Sequence, residues 1–144
     1  MQIQRLQNLY ILLAIIVMVV FLFVPYGEVV SVADQSVAPV SLSVLTEWGL
    51  LLPVGATIVA LISALFYYKR LPGQRQMVTT ALILTFATIG VVCFTLFKEA
   101  GAEELKAQFS VWDIILPIAV VFELLAVKYI NRDRELLASA NRLR

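Results

Sequence analysis

The chain has no histidine and one cysteine, Cys93, among its 144 residues. A lone thiol closes no internal disulfide. Without a Cys/His cluster, structural zinc, haem and CxxC redox chemistry have no ligand set. Charge is also scarce: Asp, Glu, Lys and Arg make up 15% of the chain and the net charge is +1. That net charge is uninformative by itself and only its distribution is useful; no nucleic-acid partner is expected. HExxH, GxSxG, the phosphate-binding P-loop and the glycine fingerprint of a dinucleotide site are all missing. These absences leave no place for catalysis, so the expectation is a non-enzyme with no metal and no cofactor.

Hydrophobic residues fill the space. They are 61% of the chain, against about 45–50% in soluble domains. They fall in four blocks: Leu6 to Val24, Leu50 to Tyr68, Met77 to Phe97 and Trp112 to Ile130. A helix of about 20 residues is roughly 30 Å long, the thickness of a bilayer's hydrocarbon core. A helix satisfies its own backbone in lipid. The reading is an all-α membrane protein, a single domain built as a four-transmembrane-helix bundle. Outer loops cover 25–49 and 98–111, an inner loop covers 69–76, and a tail covers 131–144. Ser31-Val32-Ala33 resembles a signal-peptidase site but lies about nine residues past the first apolar run, too far for the usual arrangement. The first block is therefore read as a retained helix.

Basic residues set the orientation. Arg5, Lys69, Arg70, Arg75, Lys128, Arg132, Arg134, Arg142 and Arg144 fall on one side, and Lys98 and Lys106 on the other. The positive-inside rule then places both termini in the cytoplasm. Trp48 and Trp112 at the outer helix ends, with Tyr10, Tyr67, Tyr68 and Tyr129 near the inner ends, form the expected aromatic belt.

Between Gly27 and Glu47, Val29, Val30 and Val32 precede a polar Asp34-Gln35-Ser36 turn. Val40, Leu42 and Val44 then alternate with serines. This predicts a small β-hairpin or two short strands. A lone hairpin is marginal in water and needs the membrane surface or the second outer loop for support. In that second loop, Glu103 to Phe109 is expected to form a short interfacial turn. Ser110-Val111-Trp112-Asp113 reads as a capping box with Asp at the usual Glu position. Pro72-Gly73 is expected to make a tight reversal between the second and third helices. Pro117 is expected to kink the fourth near its outer end. Ala56, Ala60 and Ala64, spaced by four, form a small-residue stripe for close helix packing. Thr79, Thr80, Thr85, Thr88 and Thr95 line the third helix.

Glu123 is the one ionisable side chain deep in a crossing. A charge there costs about 2.5–3.5 kcal/mol on the insertion scale. The carboxyl should therefore face the bundle, with helix-three threonines or a basic residue snorkelling from the cytoplasmic edge as partners; Lys128, about 140° around the helix, is a poor one. The tail, with Arg132, Asp133, Ser139, Arg142 and Arg144, places Leu136, Leu137, Ala140 and Leu143 on one side if helical. That is an amphipathic element for anionic lipid head groups or for docking a protein.

Both ends resemble one family. Ile3-Gln4-Arg5-Leu6-Gln7, then Leu9-Tyr10, is similar to the opening of the domain of unknown function 4293 family. Arg132 to Arg144 is similar to that family's closing K-D-E-K-L-V-R-S-A-D-R-L-R pattern. Here Arg134 and Glu135 reverse the usual acid–base order, Ala138 replaces a common basic residue, and Asn141 replaces Asp. The resemblance implies a multi-pass inner-membrane protein of Gram-negative bacteria and implies no activity. The function expected from all of this is an accessory or interaction subunit, with a protein partner or a second copy of the chain. The alternative is a small proton- or cation-coupled transporter using Glu123.

Overall fold

The computed structural model describes residues 2–31, 38–101 and 105–142. Four helices dominate: α1 (Gln2–Phe23), α2 (Trp48–Phe66), α3 (Leu71–Ala100) and α4 (Ile115–Arg142). Three short strands, β1 (Pro25–Ser31), β2 (Val40–Ser43) and β3 (Leu105–Phe109), join them at one end. Single 3-10 turns at Val44–Thr46 and Val111–Ile114 lead into α2 and α4.

Local chemistry explains the boundaries. α1 holds no Gly or Pro and stops just before Pro25, because the residue ahead of a proline is pushed out of the helical region. The α2–α3 reversal is confined to Tyr67–Arg70, where the Arg70 amide donates to the Tyr67 carbonyl at 2.8 Å. Pro72-Gly73 is thus not the reversal the sequence predicts but the first turn of α3. A proline is tolerated there because the first-turn amides have no helical acceptor. Gly73 is used for close approach: a Cβ on it would meet the Tyr67 ring at 3.0 Å.

Each helix packs against two others, α1 and α3 each lying between α2 and α4. The buried positions recur at spacings of three and four: Ile11, Ala14, Met18 and Phe21 on α1, and Ala119, Glu123, Ala126 and Ile130 on α4. The outward faces are apolar too, with Leu52 and Phe86 each more than half exposed. That pattern suits a lipid-facing surface and not water. α1, α2 and α3 are long and apolar enough to cross a membrane. α4 is more interrupted, by Glu123, Lys128 and Arg132.

The stripe at spacing four is only partly a packing face. Ala60 and Ala64 are buried, but Ala56 is exposed. Four residues advance 400° around a helix, so such a stripe drifts by about 40° per step. Thr57 takes the inward position instead.

The strands form one antiparallel sheet in the order β2-β1-β3. The predicted strand pairing is present as β1 and β2, with Glu28 opposite Ser41; the expected turn at Asp34-Gln35-Ser36 lies outside the described residues. The third strand corrects the expected turn at Glu103 to Phe109. Leu105–Phe109 pairs along β1, with Gly27 opposite Phe109 and Ser31 opposite Leu105. The α3–α4 connection therefore completes the sheet that the α1–α2 connection could not hold alone. Between Pro25 and Gly27 the β1–β2 register shifts by a bulge. A bulge re-aims a side chain, and Tyr26, at this one, is fully buried.

The capping box at Ser110 and Asp113 is present, the Ser110 amide donating to Asp113 Oδ2 at 3.0 Å. It opens the 3-10 turn, and α4 begins at Ile115. Pro117 therefore occupies the first helical turn, where its missing N–H removes no α-helical bond. The expected cause of a kink is absent.

Candidate functional site

Glu123 is brought into the interior by the three-and-four spacing of α4, and is fully buried. Thr85 of α3, also fully buried, lies with its Oγ1 2.9 Å from Glu123 Oε1. The same hydroxyl lies 3.1 Å from the Ala81 carbonyl oxygen. A hydroxyl has one proton, so it donates to one of these oxygens at a time. Both contacts are hydrogen bonds together only when the carboxyl donates to Thr85 and Thr85 donates to Ala81. Glu123 Oε2 has no partner among the described residues.

Above and below this pair the interior is apolar. Val92, Leu96 and Leu116 lie towards the sheet, and Val78, Ala81 and Ile130 towards the α2–α3 turn. The buried Thr88 hydroxyl donates to its own helix, to the Leu84 carbonyl at 2.9 Å. The Thr57 hydroxyl donates to the Pro53 carbonyl at 2.8 Å. Neither offers Glu123 a second partner.

A second buried polar cluster joins α1 to the start of α3. Gln7 Nε2 donates to Gln74 Oε1 at 3.1 Å, and Gln74 Nε2 donates to Asn8 Oδ1 at 2.8 Å. Gln7 and Gln74 are both fully buried. Composition and periodicity did not single out this lock. Its signal was present as polar residues within the first apolar turns, and Gln7 closes the Ile3-Gln4-Arg5-Leu6-Gln7 motif. Tyr10 of α1 stacks on Tyr129 of α4 with ring centroids 5.3 Å apart, binding the same end further.

At the sheet end, Tyr26 was also missed. Its hydroxyl is buried and has no partner among the described residues. Burial, then the carboxylates of Glu47, Glu99 and Asp113, push this hydroxyl from 10.0 up to about 12.

The tail residues are the last turns of α4 itself. No Gly or Pro lies between Ile118 and Arg142, so nothing turns the chain aside. Arg132 and Arg142 are exposed, while Asp133 faces inward at 9% exposure. The Ser139 hydroxyl donates to the Leu136 carbonyl at 2.8 Å, within its own helix. Leu136 and Leu137 are about half exposed. Arg144 lies outside the described residues. Among the clefts that flank this part of α4, two of about 390 Å³ are each lined by Arg75 of α3 and Arg134 of α4. Among the described residues, no cluster of three or more His, Cys, Asp or Glu is placed to hold a metal ion.

The family model "Domain of unknown function (DUF4293)" matches residues 3–143. The chain belongs to the DUF4293 family. Neither the curated proteins nor the solved structures contain a match. The DUF4293 match includes both polar features at the α2–α3 turn end: the Gln7–Gln74–Asn8 lock and the projecting end of α4.

Proposed function

We propose that this DUF4293 protein is a multi-pass protein of the bacterial inner membrane with four crossings and both termini in the cytoplasm. Its role is non-enzymatic: an accessory subunit that presents the end of α4 to a membrane-associated protein partner. The observation that carries this reading is that α4 continues as one helix beyond its last buried residue, Asp133, with Leu136 and Leu137 half exposed. A helix needed only for anchoring gains nothing by projecting apolar side chains in line with its own axis. An amphipathic helix end offers spaced anchors to a groove on another protein.

The fourth crossing is α4, despite its charges. Lys128 and Arg132 sit where long basic side chains reach the inner interface. That leaves Glu123 as the only charge-bearing group at depth, and it faces α3. Nine basic residues on the inner side against two outside support the orientation.

Glu123 is read as a polar staple between α3 and α4. A coupled transporter brings polar groups from several helices to a midplane site, commonly at broken helices. Here Glu123 meets one threonine between apolar layers. If Glu123→Gln abolished a measured proton or cation flux at unchanged abundance, transport would replace the staple.

The docking role is tested with a photo-crosslinking residue at position 136, and at lipid-facing 124 as the comparison, in native membranes. Discrete protein adducts are expected from 136 and not from 124. Lipid adducts alone at both, with the same partners recovered from a chain cut after Arg134, would refute docking.

A further inference from the structure

The two clefts lined by both Arg75 and Arg134 differ in a way that decides what each can hold. The first is lined by Arg75, Asn131, Arg134, Glu135 and Ala138, so a carboxylate sits in its wall. The second is lined by Pro72, Arg75, Gln76, Thr79, Thr80 and Arg134, with no acid. It sets two guanidinium groups from different helices around one concavity, with an amide and a hydroxyl as further donors. The Thr79 hydroxyl already donates to the Arg75 carbonyl at 2.8 Å. Among the described residues, the donors without a partner are therefore the two arginines, Gln76 and Thr80. Guanidinium forks match the oxygens of a phosphate in pairs.

The cleft also stands at the border between polar and apolar helix surface. Thr79, Ile83 and Phe86 follow at spacings of four and three, on one face of α3. Ile83 is 64% and Phe86 55% exposed. A ligand with a phosphate at the cleft and an acyl chain along α3 meets matching chemistry along its whole length. A soluble phosphate compound would leave the apolar half unused.

We infer that the Arg75–Arg134 cleft is a binding site for the phosphodiester head group of an anionic inner-leaflet phospholipid. Its acyl chain lies along Ile83 and Phe86. Basic pockets between helices on the cytoplasmic side are suited to such head groups. This inference rests on the cytoplasmic placement of the α2–α3 turn proposed above. It also gives the end of α4 a lipid clamp: Arg134 is shared between the site and the projecting helix, so a bound lipid fixes the direction in which Leu136 and Leu137 point.

The test is native mass spectrometry of the full chain in mild detergent, titrated with phosphatidylglycerol and, separately, phosphatidylethanolamine. The wild type should retain phosphatidylglycerol preferentially. Each arginine is worth about fivefold in affinity, so Arg75→Gln with Arg134→Gln should weaken retention roughly 25-fold. The exposed pair Arg132→Gln with Arg142→Gln should leave it within about twofold. Arg75→Lys with Arg134→Lys keeps the charge and loses the fork, and should fall between the two. Unchanged retention in the doubly glutamine-substituted chain, or equal retention of both lipids, overturns the site. Displacement of the lipid by glycerol phosphate overturns the lipid assignment in favour of a soluble phosphate. Cysteine accessibility at position 76 in intact cells, read in a Cys93→Ser background, separates the two levels. Labelling from outside defeats the orientation, whereas inward placement with unaltered lipid retention defeats the site alone.

Discussion

Replacing Thr85 with Val tests whether Glu123 is a staple. Valine keeps the shape of threonine and removes the hydroxyl, so the perturbation is loss of its contacts with Glu123 and with the Ala81 carbonyl of its own helix. Glu123 then has no described partner at either oxygen, because Oε2 already lacks one. An unsatisfied buried group costs about 1–3 kcal/mol in a protein interior. Measured interhelical bonds in membranes average about 0.6 and reach about 1.7 kcal/mol, since the unfolded chain in the bilayer also finds partners. The expected loss for Thr85→Val is therefore about 1 kcal/mol. The converse change is not symmetric. Removing the carboxyl with Glu123→Met leaves Thr85 its own-helix acceptor, the Ala81 carbonyl at 3.1 Å. Met is unbranched and fills an irregular space at little strain. Glu123→Met should thus fall within about 0.5 kcal/mol of wild type or gain stability, since an apolar replacement for a half-satisfied buried group is often neutral or better. In that background Thr85→Val should cost much less, giving a coupling of about 1 kcal/mol. Equilibrium unfolding in mixed micelles, driven by the fraction of denaturing detergent, reads all four corners of the cycle. No coupling between them would refute the staple.

Two further outcomes concern the sheet end. Tyr26→Phe removes a buried hydroxyl with no described partner, so at neutral pH stability should hold or rise by up to about 1 kcal/mol. Because folding raises this hydroxyl from 10.0 to about 12, the neutral form's stability is present below pH 10 and is lost as pH rises towards 12. The Phe variant should escape that loss, so the gap between the two chains should widen above pH 10 in thermal unfolding. A neutral-pH loss above about 1 kcal/mol would mean the hydroxyl is bonded. Gly27→Ala would set a Cβ 2.5 Å from Leu96 Cδ2 and 3.4 Å from the Gln108 carbonyl oxygen. Leu96 is itself buried, so an overpacking loss of about 1–3 kcal/mol is expected by the same unfolding assay. A neutral result would show that Leu96 has room to turn.

Several features were legible in the chain because they depend on local periodicity and composition alone. The four helices follow from long apolar runs. The paired strands of the first loop follow from β-branched residues around a polar turn, and the Ser110–Asp113 cap from a four-residue pattern. The misreadings have local causes as well. The sequence predicts a reversal at Pro72-Gly73 and a kink at Pro117, but both prolines stand in first turns, where a proline costs a helix little. β3 had a signal: Leu105, Ala107 and Phe109 alternate with Lys106 and Gln108. That signal was too short to separate from a turn without the partner strand β1.

Sequence alone determined that this chain is helical and apolar enough for a membrane, and which few polar groups interrupt it. Those facts follow from hydrophobicity and from the needs of each segment's own backbone. Tertiary structure alone decided which polar groups meet. Thr85 and Glu123 are 38 residues apart and Gln7 and Gln74 are 67 apart, and Arg75 reaches Arg134's cleft only through the packing of α3 on α4. Spacing along one helix says which face a residue occupies. The depth at which two helices are set against each other, fixed by the interlocking of their buried side chains, decides what that residue faces.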